Sequence, residues 1–321
     1  MTKKIKIIGI GNAIVDILCK VDDQFLEQNS LFKNSMSLID DVDAKKFSQL
    51  KSEKITCGGS AGNTIAALAE LGNQTGFIGK VGEDDFGKKF ISEIEKTGTK
   101  FLSYKNHQDL SAQSFILVTP DAHRTMCTYL GCASQITKDD IDEEYFKDAS
   151  ILYLEGYLWD APETILTLKK AIFYAKKYQV KIAFSLSDSF CVLRHKEEFL
   201  DLIQNDLDIL FANETEALEL APNYKEIFQY NPNLIAVITK SEKGCEVITA
   251  TKNFSKAAEK IEKLVDTTGA GDAFAAGFLH GFNKDSDLEK CATLGNILAA
   301  KIIQKFGARF ESDELKNLQI F

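Results

Sequence analysis

From residue 150 onward, apolar positions fall in short unbroken runs at 151–154, 180–185, 208–211 and 234–238, separated by amphipathic stretches at 162–178, 195–205 and 214–220. Unbroken runs of this length suit strands buried on both faces, and their alternation with helices predicts a parallel sheet covered on both sides. The first third adds a β-branched run at 5–10, an alanine-rich helix from Gly62 to Leu71, a strand at 75–81 and a helix at 85–96. Two segments depart from the alternation. Residues 12–45 suggest a strand, a short helix around 23–28 and a hairpin near 36–39, while at 110–130 two alternating runs flank the turn at 119–123.

The predicted fold is α/β: a doubly wound, mainly parallel sheet with helices on both faces, in a single domain over 1–321. The β-rich inserts at approximately 12–45 and 100–130 would join into a small β-sheet lid over the carboxyl ends of the parallel strands.

Composition narrows the field. With 45% hydrophobic and 26% charged residues and few prolines, the 321-residue chain is an ordinary globular protein with a substantial core. A net charge of -9 argues against a nucleic-acid or anionic-membrane partner, because both call for clustered positive charge. The seven cysteines are scattered without metal-ligand spacing and read as free, buried thiols. No signal-peptide or membrane-spanning run is present at the N-terminus, so a cytoplasmic location is expected. Two glycine motifs fail on chemistry. Gly9-Ile10-Gly11-Asn12-Ala13-Ile14 lacks the third glycine of a dinucleotide fingerprint, and Gly82–Lys88 is followed by Lys89 where a phosphate loop needs a hydroxyl.

The segment Asp266-Thr267-Thr268-Gly269-Ala270-Gly271-Asp272-Ala273-Phe274 is richer. Residues without bulky side chains let backbone N–H groups approach an anion, and the helix that follows turns its positive end toward it. Asp272, at the helix start, is placed to accept a proton; the plainer alternative is an N-cap.

Together with Gly58-Gly59-Ser60-Ala61-Gly62-Asn63, this segment resembles the paired glycine signatures of the ribokinase-like, or PfkB, family of carbohydrate and nucleoside kinases, and the likeness covers essentially the whole chain. Within the family the segments 9–17 and 21–26 and Asn213-Glu214-Thr215-Glu216-Ala217 are most similar to adenosine kinases.

The resemblance implies ATP-dependent phosphorylation of a ribonucleoside 5'-hydroxyl, adenosine first, with a sugar kinase or an inosine or guanosine kinase as the alternative. A non-catalytic nucleoside sensor is the alternative outside enzymes. Asp272 would be the general base, Gly269, Ala270 and Gly271 an anion hole, and Arg124 the cation on the transferring phosphate. Asp16 would accept the ribose diol; Gly58, Gly59, Ser60 and Asn63 would complete the sugar pocket, and Asn12 and Tyr157 would border the base. Each has a structural alternative: Asp16 a turn residue, Asn63 a helix cap, Tyr157 a core aromatic. Asn213 and Glu216 would order Mg2+ through water, or simply cap a helix, while Thr239, Gly244, Thr268 and Asn296 would line the ATP site. A monovalent-cation site near Asp266 and Thr268, present in some relatives, is left open, as is the choice between monomer and dimer.

Overall fold

The computed structural model describes residues 4–33, 35–103, 109–121, 123–224, 226 and 231–315. Residues 34, 104–108 and 122, which fall inside the two expected inserts, lie outside the described residues. The chain opens with β1 (Ile7–Ile10), β2 (Ile14–Lys20), α1 (Asp23–Gln28), β3 (Met36–Leu38), α2 (Asp41–Phe47), β4 (Ser52–Cys57) and α3 (Ser60–Glu70). There follow β5 (Thr75–Ile78), α4 (Asp85–Lys96), β6 (Lys100–Phe101), β7 (Ala112–Val118), β8 (Arg124–Tyr129), β9 (Ile151–Glu155), α5 (Pro162–Lys177) and β10 (Lys181–Ser185). The last part holds α6 (Ser189–Asn205), β11 (Ile209–Asn213), α7 (Glu214–Leu220), β12 (Ile235–Thr239), β13 (Cys245–Ile248), β14 (Asn253–Lys256), α8 (Ala270–Asn283) and α9 (Leu288–Ile302).

Nine strands make one sheet in the order β14-β13-β12-β11-β10-β9-β1-β5-β6, parallel throughout except for the β12-β13-β14 edge. Its central strands are apolar through their middles, with polar residues only at strand ends such as Lys181 and Glu155, because both faces are covered. Ile7 and Tyr153 pack with Ile65 and Phe278 on one side, while Ile8, Ile10, Leu152 and Leu154 pack with Leu168 and Phe199 on the other. This is the two-residue period of a strand dividing its side chains between two cores.

The second sheet has the order β3-β8-β7-β2-β4. It departs from expectation in three places. Residues 36–38 form no hairpin of their own but pair in parallel with β8. β4 was not anticipated, since Ser52-Glu53-Lys54 is polar; it is an edge strand with solvent on much of its surface, where hydrophobic alternation is not required. Residues 100–101, expected with the inserts, instead add β6 to the edge of the large sheet.

The helix expected at 195–205 starts earlier, at Ser189, and has non-helical backbone at His195 (φ -123°, ψ 24°). The hairpin β13–β14 was also unforeseen. The expectation of free, buried thiols agrees with all seven cysteines. Among the described residues no helix is long and apolar enough to cross a membrane.

Helices α8 and α9 form a tight antiparallel pair. A Cβ on Gly277 would lie 2.4 Å from the Leu294 carbonyl oxygen, and one on Gly295 would lie 2.8 Å from the Phe274 ring. Backbone cannot yield as a flexible side chain would. Gly277→Ala therefore forces the helices apart and lowers stability by about 1–3 kcal/mol. Denaturant unfolding measures this, and an unchanged midpoint would contradict it.

Candidate active site

Most helices start on a side-chain cap. Asp22, Asp40, Asp84, Asp188, Asn213 and Asp287 each accept a backbone N–H at the start of α1, α2, α4, α6, α7 and α9. Helices α3 and α8 instead begin at Gly59 and Gly269, with no side-chain cap. Helix α5 also lacks a side-chain cap, starting at Ala161 with Pro162 in its first turn, but the two glycine starts are the ones that come together.

Gly269 has left-handed backbone (φ +77°), and a Cβ there would lie 2.7 Å from that of Ala308, so the turn demands glycine. Among the described residues, the N–H groups of Gly269, Gly271 and Asp272 have no acceptor, whereas that of Ala270 donates to the Thr267 carbonyl at 3.2 Å. The donor set thus differs by one from the expected trio: Ala270 is spent inside the turn and the amide of Asp272 is available. A Cβ on Gly271 would meet open space. Three free donors at a helix start beside open space fit a phosphate.

Asp272 itself caps nothing. Its Oδ1 accepts from Ser60 Oγ at 2.6 Å and its Oδ2 from Asn63 Nδ2 at 2.9 Å, both donors standing in the first turn of α3. Burial pushes its carboxyl up to about 6; the bonds from Ser60 and Asn63 and the charge of Arg309 pull the other way. At neutral pH it remains mainly the carboxylate, a competent proton acceptor.

Asp16, on β2, is the second carboxylate. Burial raises it to about 7, opposed by Arg309 and reinforced by the charge of Asp272. Its carboxylate has no hydrogen-bond partner among the described residues, and it lines the gap beneath the small sheet. Gly58 makes room for it, since a Cβ on that residue would lie 2.3 Å from Asp16 Oδ2. Gly59 takes φ +83° against the Asn12 carbonyl, 2.2 Å from where its Cβ would be. The signature glycines therefore let the carboxylate, the turn and the helix start converge.

Two residues that the sequence reading passed over complete this region. Glu155, 1% exposed at the end of β9, accepts from the N–H groups of Asn12 (2.8 Å) and Ala61 (2.6 Å), and burial raises it to about 7. A single charge ending the apolar run at 151–154 was its signal. Arg309, past the end of α9, donates from Nε to Asn63 Oδ1 and from Nη2 to the Gly58 carbonyl, both at 3.0 Å. No motif marks it.

Arg124 opens β8 and reaches from the small sheet to the glycine turn. Its Nη1 donates to Asp266 Oδ1 at 2.6 Å and to Thr268 Oγ1 at 3.3 Å, and its guanidinium lies 4.9 Å from the Phe306 ring centre. Asp266 also accepts from the Thr268 N–H and hydroxyl and from the Gly307 N–H. Burial raises its carboxyl, but these donors outweigh burial and leave it below the usual range. The space enclosed by Asp16, Ile116, Arg124, Asp266, Phe306 and Gly307 is only about 20 Å³, far under the ~300–1,000 Å³ of small-molecule sites. The small sheet lies closed on the turn.

The remaining expected residues sit elsewhere along the strand ends. Asn213 and Glu216 form a reciprocal capping box, Glu216 N–H to Asn213 Oδ1 and Asn213 N–H to Glu216 Oε2, both at 2.9 Å. Both Glu216 oxygens are engaged, the other by Asn213 Nδ2 at 2.5 Å, so Glu216 does not fit direct metal ligation. Among the described residues no cluster of three or more His, Cys, Asp or Glu suits a metal. Tyr157, partly buried, packs against the core on the face that holds Leu152 and Leu154, and burial, with the charge of Asp188, pushes its hydroxyl well above the usual range. Gly244 (φ +90°) and Asn296 meet at one loop: a Cβ on Gly244 would lie 2.0 Å from the Lys256 carbonyl, and Asn296 Nδ2 donates to the Ala257 carbonyl at 2.9 Å. Thr239 lies opposite Cys245 at the start of that hairpin.

The model of the pfkB family carbohydrate kinases matches residues 33–315, and the chain belongs to this family. It is an ATP-dependent kinase acting on a small-molecule sugar or nucleoside. An adenosine kinase from Saccharomyces cerevisiae is 28% identical, covering 96% of this chain and 98% of the relative. Two solved structures, an adenosine kinase from Sinorhizobium meliloti and a probable sugar kinase from Rhizobium etli, are each 36% identical with a TM-score of 0.89, and each match covers 98% of both chains.

The raised Asp16 carboxyl has a consequence for stability. Its folded value lies above its unfolded one, so the native state binds the extra proton in the window between about pH 4 and 7, and stability falls as pH rises through it. Asp16→Asn removes this penalty. Its Tm exceeds that of the wild type near pH 8, by about 2–4 °C per kcal/mol relieved, and the difference closes toward pH 4. Melting curves across that range check it; coincident curves near pH 8 would refute it.

Proposed function

We propose that this kinase phosphorylates the 5'-hydroxyl of a ribonucleoside, adenosine first, by in-line transfer from ATP. The observation that carries the reading is a pair of unlike carboxylates at one cleft: Asp272, held by Ser60 and Asn63 beside free backbone donors, and Asp16, without a hydrogen-bond partner among the described residues. An unpartnered carboxylate suits a vicinal diol, which offers it two hydroxyl donors.

In this mechanism Asp272 takes the proton of the primary alcohol as its oxygen attacks the γ-phosphorus and the bond to the ADP oxygen breaks. The N–H groups of Gly269, Gly271 and Asp272 hold the phosphoryl oxygens, and Arg124, already bridged to Asp266, supplies positive charge from the small sheet. Phosphoryl transfer rests mainly on positioning, which a closed sheet and two facing helix starts provide. Magnesium would neutralise charge on the phosphates, and Glu216 fits it only through water, because Asn213 occupies its oxygens. The small sheet acts as a lid, which must lift for the acceptor to enter and then exclude water.

The preference for a nucleoside over a free sugar rests on the sheet face that carries Asp16. Cross-strand pairing sets Leu18, Ile116, Met126 and Met36 in a row on that face, with Leu38 in the Asp16 row beyond Ser114 and Thr128. Met36, Leu38 and Met126 remain 41%, 57% and 39% exposed. An apolar surface beside a diol-binding carboxylate suits a flat base, and a bare sugar would leave it uncovered.

Asp272→Asn lowers kcat by about 100- to 10,000-fold while adenosine binding persists; wild-type turnover in this variant would sink the mechanism. A panel of adenosine, inosine, guanosine and ribose, scored by ATP consumption, tests the acceptor. Adenosine is expected to lead, and activity confined to ribose would replace the nucleoside reading with a sugar kinase.

A further inference from the structure

The three residues Gly307, Ala308 and Arg309 touch both glycine signatures. Gly307 donates its N–H to Asp266 Oδ2 at 3.0 Å, Ala308 packs where a Cβ on Gly269 would stand, and Arg309 grips Gly58 and Asn63. The Arg309 guanidinium lies 5.3 Å from the Phe90 ring centre, and a Cβ on Gly62 would come within 3.1 Å of its Nη2. Among the described residues its buried Nη1 has no hydrogen-bond partner. A buried guanidinium with a spare donor is costly to maintain, which asks what its charge and planar fork do.

The fork determines how Asn63 points. Nε donates to Asn63 Oδ1, so the amide nitrogen is turned toward Asp272 Oδ2. The flipped amide would set donor against donor at the guanidinium and oxygen against oxygen at the carboxylate. The charge faces Asp16 from β2 and Asp272 from α8, together with Cys57 from β4 and Glu93 from α4; Lys89 on α4 is the neighbouring cation, and Glu155 from β9 adds negative charge beside Asp272. Glu93 is already paired with Lys96 at 2.8 Å. The carboxylates left to Arg309 are those of the acceptor site.

We propose that Arg309 is a positioning residue of the acceptor site, orienting Asn63 toward Asp272 and supplying the positive charge that lets Asp16 and Asp272 share one cleft as carboxylates. This rests on the reading of those two aspartates as the acceptor-binding and proton-accepting groups. The burial that raises both carboxyls is opposed in each case by Arg309.

The test has a readout that does not need turnover. In full-length protein isotope-labelled at the aspartate carboxyl carbons, with Asp16→Asn and Asp272→Asn assigning the signals, Arg309→Met raises the titration midpoints of the pair by about one pH unit, a tenfold gain in proton affinity. With adenosine and MgATP, the acid limb of kcat/KM moves to higher pH in the same direction, because the base must be ionised. Arg309→Lys keeps the charge without the planar fork: its midpoints stay closer to the wild type, but kcat falls as Asn63 loses its guide. Unmoved midpoints in a folded Arg309→Met protein overturn the proposal. If Arg309→Met does not fold, wild-type kcat and KM in Arg309→Lys overturn it. A dead Asp272→Asn enzyme with unmoved Arg309→Met midpoints refutes only the role of Arg309; an active Asp272→Asn enzyme with moved midpoints refutes only the base.

Discussion

The Asp272 carboxylate stands in the first turn of one helix and is received by the first turn of another, through Ser60 and Asn63. The rest of the site depends on that junction. Two helix starts placed together would repel, since each is the positive end of its dipole, and a carboxylate between them converts the repulsion into a favourable arrangement. Neither start can afford a capping side chain of its own, because the cap would occupy the donors and the space the junction uses. Glycines at 59 and 269, where six other helices carry Asp or Asn, follow from this requirement.

Burying carboxylates at the ends of a sheet would be unfavourable unless each were answered. Glu155 is answered by backbone amides, Asp272 by side-chain donors, and Asp266 by Arg124, Thr268 and Gly307. Asp16 is answered only at a distance, by Arg309. This leaves one carboxylate whose hydrogen-bonding capacity is unspent, the condition under which a ligand hydroxyl gains most by displacing water. Among these four carboxylates, Asp16 is the one left with open acceptor sites, at the point where the acceptor sugar is placed under the proposed reading.

Much of this was legible in the chain, and the reasons are specific. The alternation of apolar runs with amphipathic stretches announced the large sheet because its strands are buried on both faces. The glycine signatures were visible because close backbone approach removes side chains in a recognisable pattern. β4 was not visible, being a polar edge strand, and neither was the pairing of β3 with β8, since a short exposed strand takes its register from a partner far along the chain. Arg309 escaped because its contacts to Gly58 and Asn63 are tertiary, and a lone arginine far along the chain gives no local sign of them. The Asn213–Glu216 pair shows the opposite case: the same two residues satisfy a capping box so well that local structure alone explains their pattern.

The parallel pairing of β2 with β7 bears on how the protein is made. β2 emerges from the ribosome with β4 soon behind it, yet its other neighbour comes only with residues 112–118. At about 5–20 residues per second, the apolar strand Ile14–Lys20 waits several seconds with one edge open. An open edge of this kind is a template for the wrong partner. Asp16 is thus among the first site residues synthesised and Arg309 among the last, so the nascent chain holds a carboxylate long before it holds the charge that answers it. Until translation reaches that arginine, Gly58 and Asn63 lack the guanidinium that ties them together in the folded chain.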